Sequence, residues 1–170
     1  MGKPVIVTLQ LEDDAMAFFN AQRTAYFPPR INFLDAHITL FHALPQPEAA
    51  VQLALEGFAK RDIITLEVNG LRNTGNGVAY DLFSRELQAL HVKMQECFQH
   101  LLVGKDKEKL WPHITVQNKV TAFKAKTLYE KLSGGMIPFN IIGTGFSVYL
   151  YDRGPWQHIS DHKFTRKAGR

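Results

Sequence analysis

His37-Ile38-Thr39-Leu40 returns, one conservative change apart, as His113-Ile114-Thr115-Val116. Side chains alternate between the two faces of a β-strand, so each stretch sets an imidazole and a hydroxyl on one side and two aliphatic residues on the other. The chain thus offers two matched His/Thr pairs. Two imidazoles that face one another across a cleft are what acid–base chemistry on a phosphodiester needs.

The surroundings of the two stretches rhyme. Val5 to Leu11 reads as a strand, and Asp13 or Asp14 as the cap of a helix with Ala15, Phe18, Phe19, Gln22 and Ala25 on one face. Phe27-Pro28-Pro29-Arg30 stops that helix and leads to the first His-x-Thr strand, Ala36 to Ala43, which Pro45 and Pro47 close. Val51, Ala54, Leu55 and Phe58 predict a second helix over roughly residues 47–60. Ile63 to Leu71 and Val78 to Phe83 flank Asn73-Thr74-Gly75-Asn76-Gly77 as a hairpin.

Leu87, Leu90, Met94, Cys97, Phe98 and Leu101 mark the strongest amphipathic helix, with Gly104 as its end. Lys105-Asp106-Lys107-Glu108-Lys109 reads as a solvated loop before Trp111-Pro112 and the second motif. Thr121 caps a helix carrying Ala125, Leu128, Tyr129 and Leu132, which Gly134-Gly135 ends. Strands follow around Phe139 to Ile142 and Phe146 to Tyr151, then the turn Arg153-Gly154-Pro155 and a weaker strand from Trp156 to Phe164. Each motif strand is followed by a connector, an amphipathic helix and an aliphatic strand. This order predicts an α+β fold of two pseudo-symmetric lobes, with antiparallel or mixed sheets, outer helices and the two His-x-Thr strands facing a central cleft.

Bulk properties fit that picture. With 170 residues, 45% hydrophobic and 21% charged, the chain suits one bilobal globular domain over residues 1–170. Cys97 is the only cysteine, which excludes an internal disulfide and a cysteine metal site. No apolar run approaches the roughly 20 residues of a membrane span. The N-terminal stretch lacks the apolar core of a signal peptide, so a cytoplasmic setting and no membrane partner are expected. The net charge of +4 favours phosphate-bearing partners, although part of it lies in the tail from Lys163 to Arg170, which is expected to fray. The duplication supplies the symmetry that a homodimer would otherwise provide, so a monomer is expected.

Phosphodiester hydrolysis needs a water to lose a proton on one side of phosphorus and a leaving oxygen to gain one on the other. A neutral imidazole can take the first and a protonated one can give the second, each worth roughly 10²–10⁴-fold in rate. Thr39 and Thr115 can donate to the non-bridging oxygens and stabilise the charge that develops there. This apparatus predicts no metal and no cofactor. A 2′,3′-cyclic phosphate suits it best, because the ring already positions the leaving oxygen.

On these residues the chain resembles the 2H phosphoesterase superfamily, which includes the 2′-5′ RNA ligase proteins and RNA 2′,3′-cyclic phosphodiesterases. Two His-x-[Thr/Ser] motifs with apolar flanks define that family, and both are matched in full; Asp35-Ala36 and Trp111-Pro112 before them are similar too. The resemblance spans both halves. It implies His37 as general acid, His113 as the base that activates water, and Thr39 and Thr115 on the phosphate. It further implies a substrate that is an RNA end or a small cyclic nucleotide, with 2′-5′ joining as the reverse reaction.

Other readings stand beside this one. A lone His37 would read as a structural histidine bonded to backbone, and the threonines as ordinary strand residues. A cleft of this kind could also serve a non-catalytic nucleotide- or RNA-binding module. Arg153 could reach a phosphate, and Trp156, Tyr149 or Tyr151 could stack on a base; Arg30 and Phe33, in the loop entering the first motif, are further candidates. His42 falls on the face opposite His37 in a regular strand. His91, His100, His158 and His162 have no paired context, Cys97 has core spacing, and Lys124 and Lys126 suit a solvated helix face.

Overall fold

One twelve-residue strand, β6 (Phe139–Leu150), joins the two halves of the molecule. The computed structural model describes residues 2–45 and 48–165; Pro47 and the tail beyond residue 165 lie outside them. The first residues of β6 pair with β3 (Ile64–Asn73), and its later ones with both β1 (Val5–Leu11) and β7 (Gln157–Lys163). With β2 (Ile38–Leu44), β4 (Val78–Phe83) and β5 (His113–Gln117), they form a seven-stranded sheet in the order β2-β1-β6-β3-β4-β5, with β7 beside β6. Every pairing is antiparallel. The fold is α+β as expected, but the halves share one hydrogen-bonded sheet.

From sequence, Gly143-Thr144-Gly145 divides β6 into two strands. The glycines instead mark close approach inside one strand. A Cβ on Gly143 would lie 2.7 Å from the Leu9 side chain, and one on Gly145 would lie 2.6 Å from the His162 carbonyl oxygen. They let β1 and β7 pack against β6 at those points.

Among the described residues four α-helices cover the sheet: α1 (Asp13–Tyr26), α2 (Glu48–Phe58), α3 (Arg85–Cys97) and α4 (Ala122–Ser133). Ser84 and Thr121 cap α3 and α4 through their hydroxyls. Helix α1 begins differently from expectation. Its N-cap is Glu12, which makes no side-chain cap, and Asp13 and Asp14 sit in the first turn, where they oppose the positive end of the helix dipole. Its buried stripe is Ala15, Phe19 and Arg23, while Phe18 is partly exposed. Helix α3 stops at Cys97, short of Leu101, and the Cys97 thiol is exposed, because Phe98 turns inward in its place. Phe19, Phe41 and Phe146 are fully buried in the core, each worth roughly 1.5–3 kcal/mol of burial.

The stretch read as a solvated loop is a built feature. A 3₁₀ turn runs from Gly104 to Lys107, and Asp106 points into the protein, 2% exposed. Its carboxylate accepts the backbone N–H of His42 at 2.7 Å and of Ala43 at 2.9 Å, pinning the turn to β2. The Gln95 amide of α3 reaches over to the Asp106 and Glu108 carbonyls, and Gln88 to that of Leu110.

Candidate active site

The motif strands β2 and β5 stand at the two ends of the sheet order, and they also touch one another. The sheet therefore curls until its ends meet, and the repeated histidines lie there. Each histidine is held by the same local device. Nδ1–H of His37 donates to the Asp35 carbonyl at 2.8 Å, and Nδ1–H of His113 donates to the Trp111 carbonyl at 2.7 Å. With Nδ1 occupied in this way, the lone pair of the neutral ring resides on Nε2. Each ring also rests on an indole: His37 lies 5.0 Å from Trp156, tilted, and His113 stacks on Trp111 at 3.7 Å.

Both strands break register immediately after the threonine. Thr8 pairs with Thr39 but Val7 with Phe41, which leaves Leu40 as an extra residue; Ala79 pairs with Thr115 but Val78 with Gln117, which leaves Val116. Such a bulge reverses the alternation beyond it. That explains His42, which regular alternation assigned to the opposite face. It lines the same cavity as His113 and Thr39. Asn118, at the matching place after the second motif, lines the cavity of His37 and Thr115.

Two cavities meet these groups. The first, about 410 Å³, holds His37 and Thr115 with Arg23, Phe33, Tyr151, Arg153 and Trp156 among its walls. The second, about 240 Å³, holds Thr39 and His113 with His42, Lys105, Asp106 and Lys109. Each thus takes its histidine from one motif and its threonine from the other. Of the six further candidates from the sequence, Phe33, Tyr151, Arg153 and Trp156 line the first cavity. Tyr149 faces a third, of about 290 Å³, which His37 also borders with Ser147, His158 and Asp161. Arg30 is exposed on a 3₁₀ turn (Pro29–Ile31) and lines none of the three.

Arg23 was not singled out from the sequence. It is 4% exposed, its guanidinium lies 4.1 Å from the Phe27 ring centre, and Nη1–H donates to the Thr115 carbonyl at 2.8 Å. Its Nε–H donates to Asn32 at 3.2 Å. The signal was present, because a four-residue spacing from Ala15 and Phe19 places Arg23 on the apolar stripe of α1. A cation there needs partners, and it finds them under the second motif.

Burial sets the protonation of the site. His37 is held down to about 4, mainly by desolvation, with Arg23, His113 and His42 pushing the same way and the Asp35 carbonyl opposing. His113 is lowered as well, again by burial first, against the Trp111 carbonyl. The site therefore favours two neutral imidazoles, His37 the more strongly. An anion bound between them would raise both.

Of the remaining histidines, His100 is exposed and the other three have structural partners. His91 is buried, hydrogen-bonded to the Leu40 carbonyl at 2.8 Å and stacked on Phe41. His158 pairs with Asp161 and His162 with Gln52. Lys124 and Lys126 are exposed on α4, and Lys126 pairs with Glu130. No helix among the described residues is long and apolar enough to cross a membrane.

A family model described as the 2′-5′ RNA ligase superfamily matches residues 11–155. Among solved structures, TT0787 of Thermus thermophilus is similar at 16% identity and a TM-score of 0.63, covering 95% of this chain and 97% of its own. Apo LigT of E. coli aligns at 16% identity and a TM-score of 0.60, covering 96% of this chain and 98% of its own. LigT complexed with 3′-AMP aligns at 17% and 0.58, covering 97% and 99%. At these identities the likeness is one of fold. No curated protein matches the chain.

Proposed function

The chain belongs to the 2′-5′ RNA ligase superfamily, which makes it a phosphoesterase- or ligase-like enzyme, and on that premise we propose that it hydrolyses a 2′,3′-cyclic phosphate on an RNA end or a small nucleotide. One observation carries this reading: two histidines with the same Nδ1 lock stand on sheet ends that touch, each sharing a cavity with the other motif's threonine. A structural histidine has no need of a twin held in this way.

In the proposed reaction the cyclic phosphate lies between the Thr39 and Thr115 hydroxyls, which donate to its non-bridging oxygens. Nε2 of neutral His37 takes a proton from water as the water oxygen bonds to phosphorus. The ring P–O bond breaks on the opposite side, and His113 gives its Nε2 proton to the departing ribose oxygen. The resemblance implies the reverse assignment of acid and base. The stronger depression of His37 supports it as the base, since a base must be neutral before it acts. Run backwards, the same groups would join ends.

Incubation with 2′,3′-cyclic nucleotides in EDTA, with the monoester product followed by phosphorus NMR, tests the reading. Turnover that His37→Ala and His113→Ala each lower by roughly 10²–10⁴-fold is expected. No turnover, or turnover that survives both substitutions, overturns it, and nucleotide binding without product would assign the cleft to a binding module instead.

A further inference from the structure

The proposed reaction gives His42 no task, yet the fold delivers it to the cleft. The bulge at Leu40 turns it onto the site's face, where it lines a cavity with Thr39 and His113. The bulge at Val116 brings Asn118 to the matching place beside His37 and Thr115. Each cavity therefore receives a histidine, a threonine and one side chain supplied by a bulge.

The His42 ring is held in one orientation. Asp106, 2% exposed, accepts the backbone N–H of His42 at 2.7 Å, that of Ala43 at 2.9 Å, and Nδ1–H of the His42 ring at 3.2 Å. The two backbone bonds already engage both carboxylate oxygens and pin the turn to β2. The ring bond is the longest of the three, and the clamp does not need it. Its effect is to leave Nε2 as the nitrogen free for the cavity. The ring also lies near the reacting groups. After burial and the Trp111 carbonyl, the charge that acts most on His113 is His42, ahead of Asp81 and Lys105, and His42 acts on His37 as well. The other charges on this cavity wall balance formally, Lys105 and Lys109 against Asp106 and Glu108. An anion there is served by a directed donor rather than by the rim.

We propose that His42 is a third imidazole that touches the substrate: Nε2–H of its protonated ring donates to the non-bridging phosphate oxygen on the His113 side, beside Thr39. Asp106 holds the ring from behind. This inference rests on the proposed hydrolysis and deepens it, because it distinguishes the two otherwise matched sides of the cleft. A charged donor stands on the side where His113 acts, and a neutral amide, Asn118, has that place on the side of His37.

Proton NMR of the imidazole N–H groups reads the contact without turnover. Titration with adenosine 3′-monophosphate is expected to bring out an Nε2–H signal that His42→Gln removes, because a bound phosphate slows its exchange with water; adenosine alone should not. A ring that only balances the buried Asp106 carboxylate would respond to neither. By calorimetry, His42→Gln should weaken the monophosphate roughly tenfold or more, as for a hydrogen bond between charged groups. The backbone N–H that ties residue 42 to Asp106 survives that substitution. His100→Gln, at an exposed histidine that lines none of the three cavities, should leave the affinity unchanged. No ligand-dependent His42 signal, the same signal with adenosine, or an equal loss in both variants overturns the contact. A kinetic arm with a 2′,3′-cyclic nucleotide should show kcat/KM lowered by His42→Gln and not by His100→Gln. If the unaltered protein cleaves nothing while the signal and the affinity loss hold, the hydrolytic reading fails and the contact stands. Cleavage that His42→Gln leaves unchanged overturns the contact alone.

Discussion

At the scale of single residues, the proposed reaction depends on where two protons reside. Removing either partner of the proposed proton transfer, His37→Ala or His113→Ala, should lower kcat by roughly 10²–10⁴-fold with little change in KM. The pH profile of kcat/KM reports the free enzyme. As base, His37 must be neutral, so activity should fall below its value of about 4. As acid, His113 must be protonated, so activity should fall as pH rises through its own value, which burial holds below the usual 6.5. The result is a bell with an acidic optimum, and the kcat profile should shift to higher pH because bound phosphate raises both groups. In the single variants, His37→Ala should remove the acidic limb and His113→Ala the basic one; the opposite pattern would restore the roles that the resemblance implies. Arg23 acts one layer deeper. Arg23→Met keeps the packing on Phe27 but removes the charged donor to the Thr115 carbonyl, for which about 1.5–3 kcal/mol is expected in chemical denaturation. A fall in kcat/KM beyond that of a control with equal stability would show that Thr115 has moved.

At the scale of elements, the sequence was legible where periodicity and composition act locally. The hairpin of β3 and β4, the Thr121 cap and the two motif strands follow from alternation and turn residues close to hand. It was illegible where a distant partner decides. Gly143 and Gly145 look like a break until Leu9 and His162 are seen against them. Asp106 looks solvated until the His42 and Ala43 amides are found above it. The bulges at Leu40 and Val116 leave no mark on the pattern, so His42 was assigned to the wrong face. At the candidate site, both histidines and both threonines stand out because they repeat, whereas Arg23 is hidden among apolar neighbours. The glycines make this testable. Of Gly145, Gly143 and Gly70, Gly145→Ala should be the costliest, because its Cβ meets backbone of β7 at 2.6 Å and that strand must shift. Gly143→Ala meets the buried Leu9 side chain, nearest at 2.7 Å, rather than backbone, and should cost about 1–3 kcal/mol. Gly70→Ala, with open space around it, should be neutral or stabilising by up to about 1 kcal/mol. Thermal unfolding of the three variants checks the order, and equal melting temperatures would contradict it.

At the scale of the whole molecule, the histidines that make the cleft also make the fold sensitive to acid. His37, His91 and His113 are all held below their ordinary value, mainly by burial. A histidine lowered in this way binds a proton more readily in the unfolded chain. Stability is therefore fully present above about pH 6.5 and declines as pH falls, until the folded-state values are passed. For His37 that window runs from about 6.5 down to about 4. The carboxylates behave oppositely in cause but add to the trend: Asp106 and Asp161 are lowered, the first through the His42 and Ala43 donors that overcome its burial, and the stability they contribute is lost at still lower pH. Urea unfolding at pH 7.5, 6.5, 5.5 and 4.5 should give a free energy that changes least between 7.5 and 6.5 and falls at each step below 6.5, and a flat profile would contradict the burial argument. The double variant His37→Gln/His113→Gln removes two of the three groups while keeping polar side chains of similar size. Its decline should be shallower, with most of the residual slope owed to His91. If the slope were unchanged, the acid sensitivity would originate outside the cleft, and the desolvation that lowers His37 would have no counterpart in the stability of the fold.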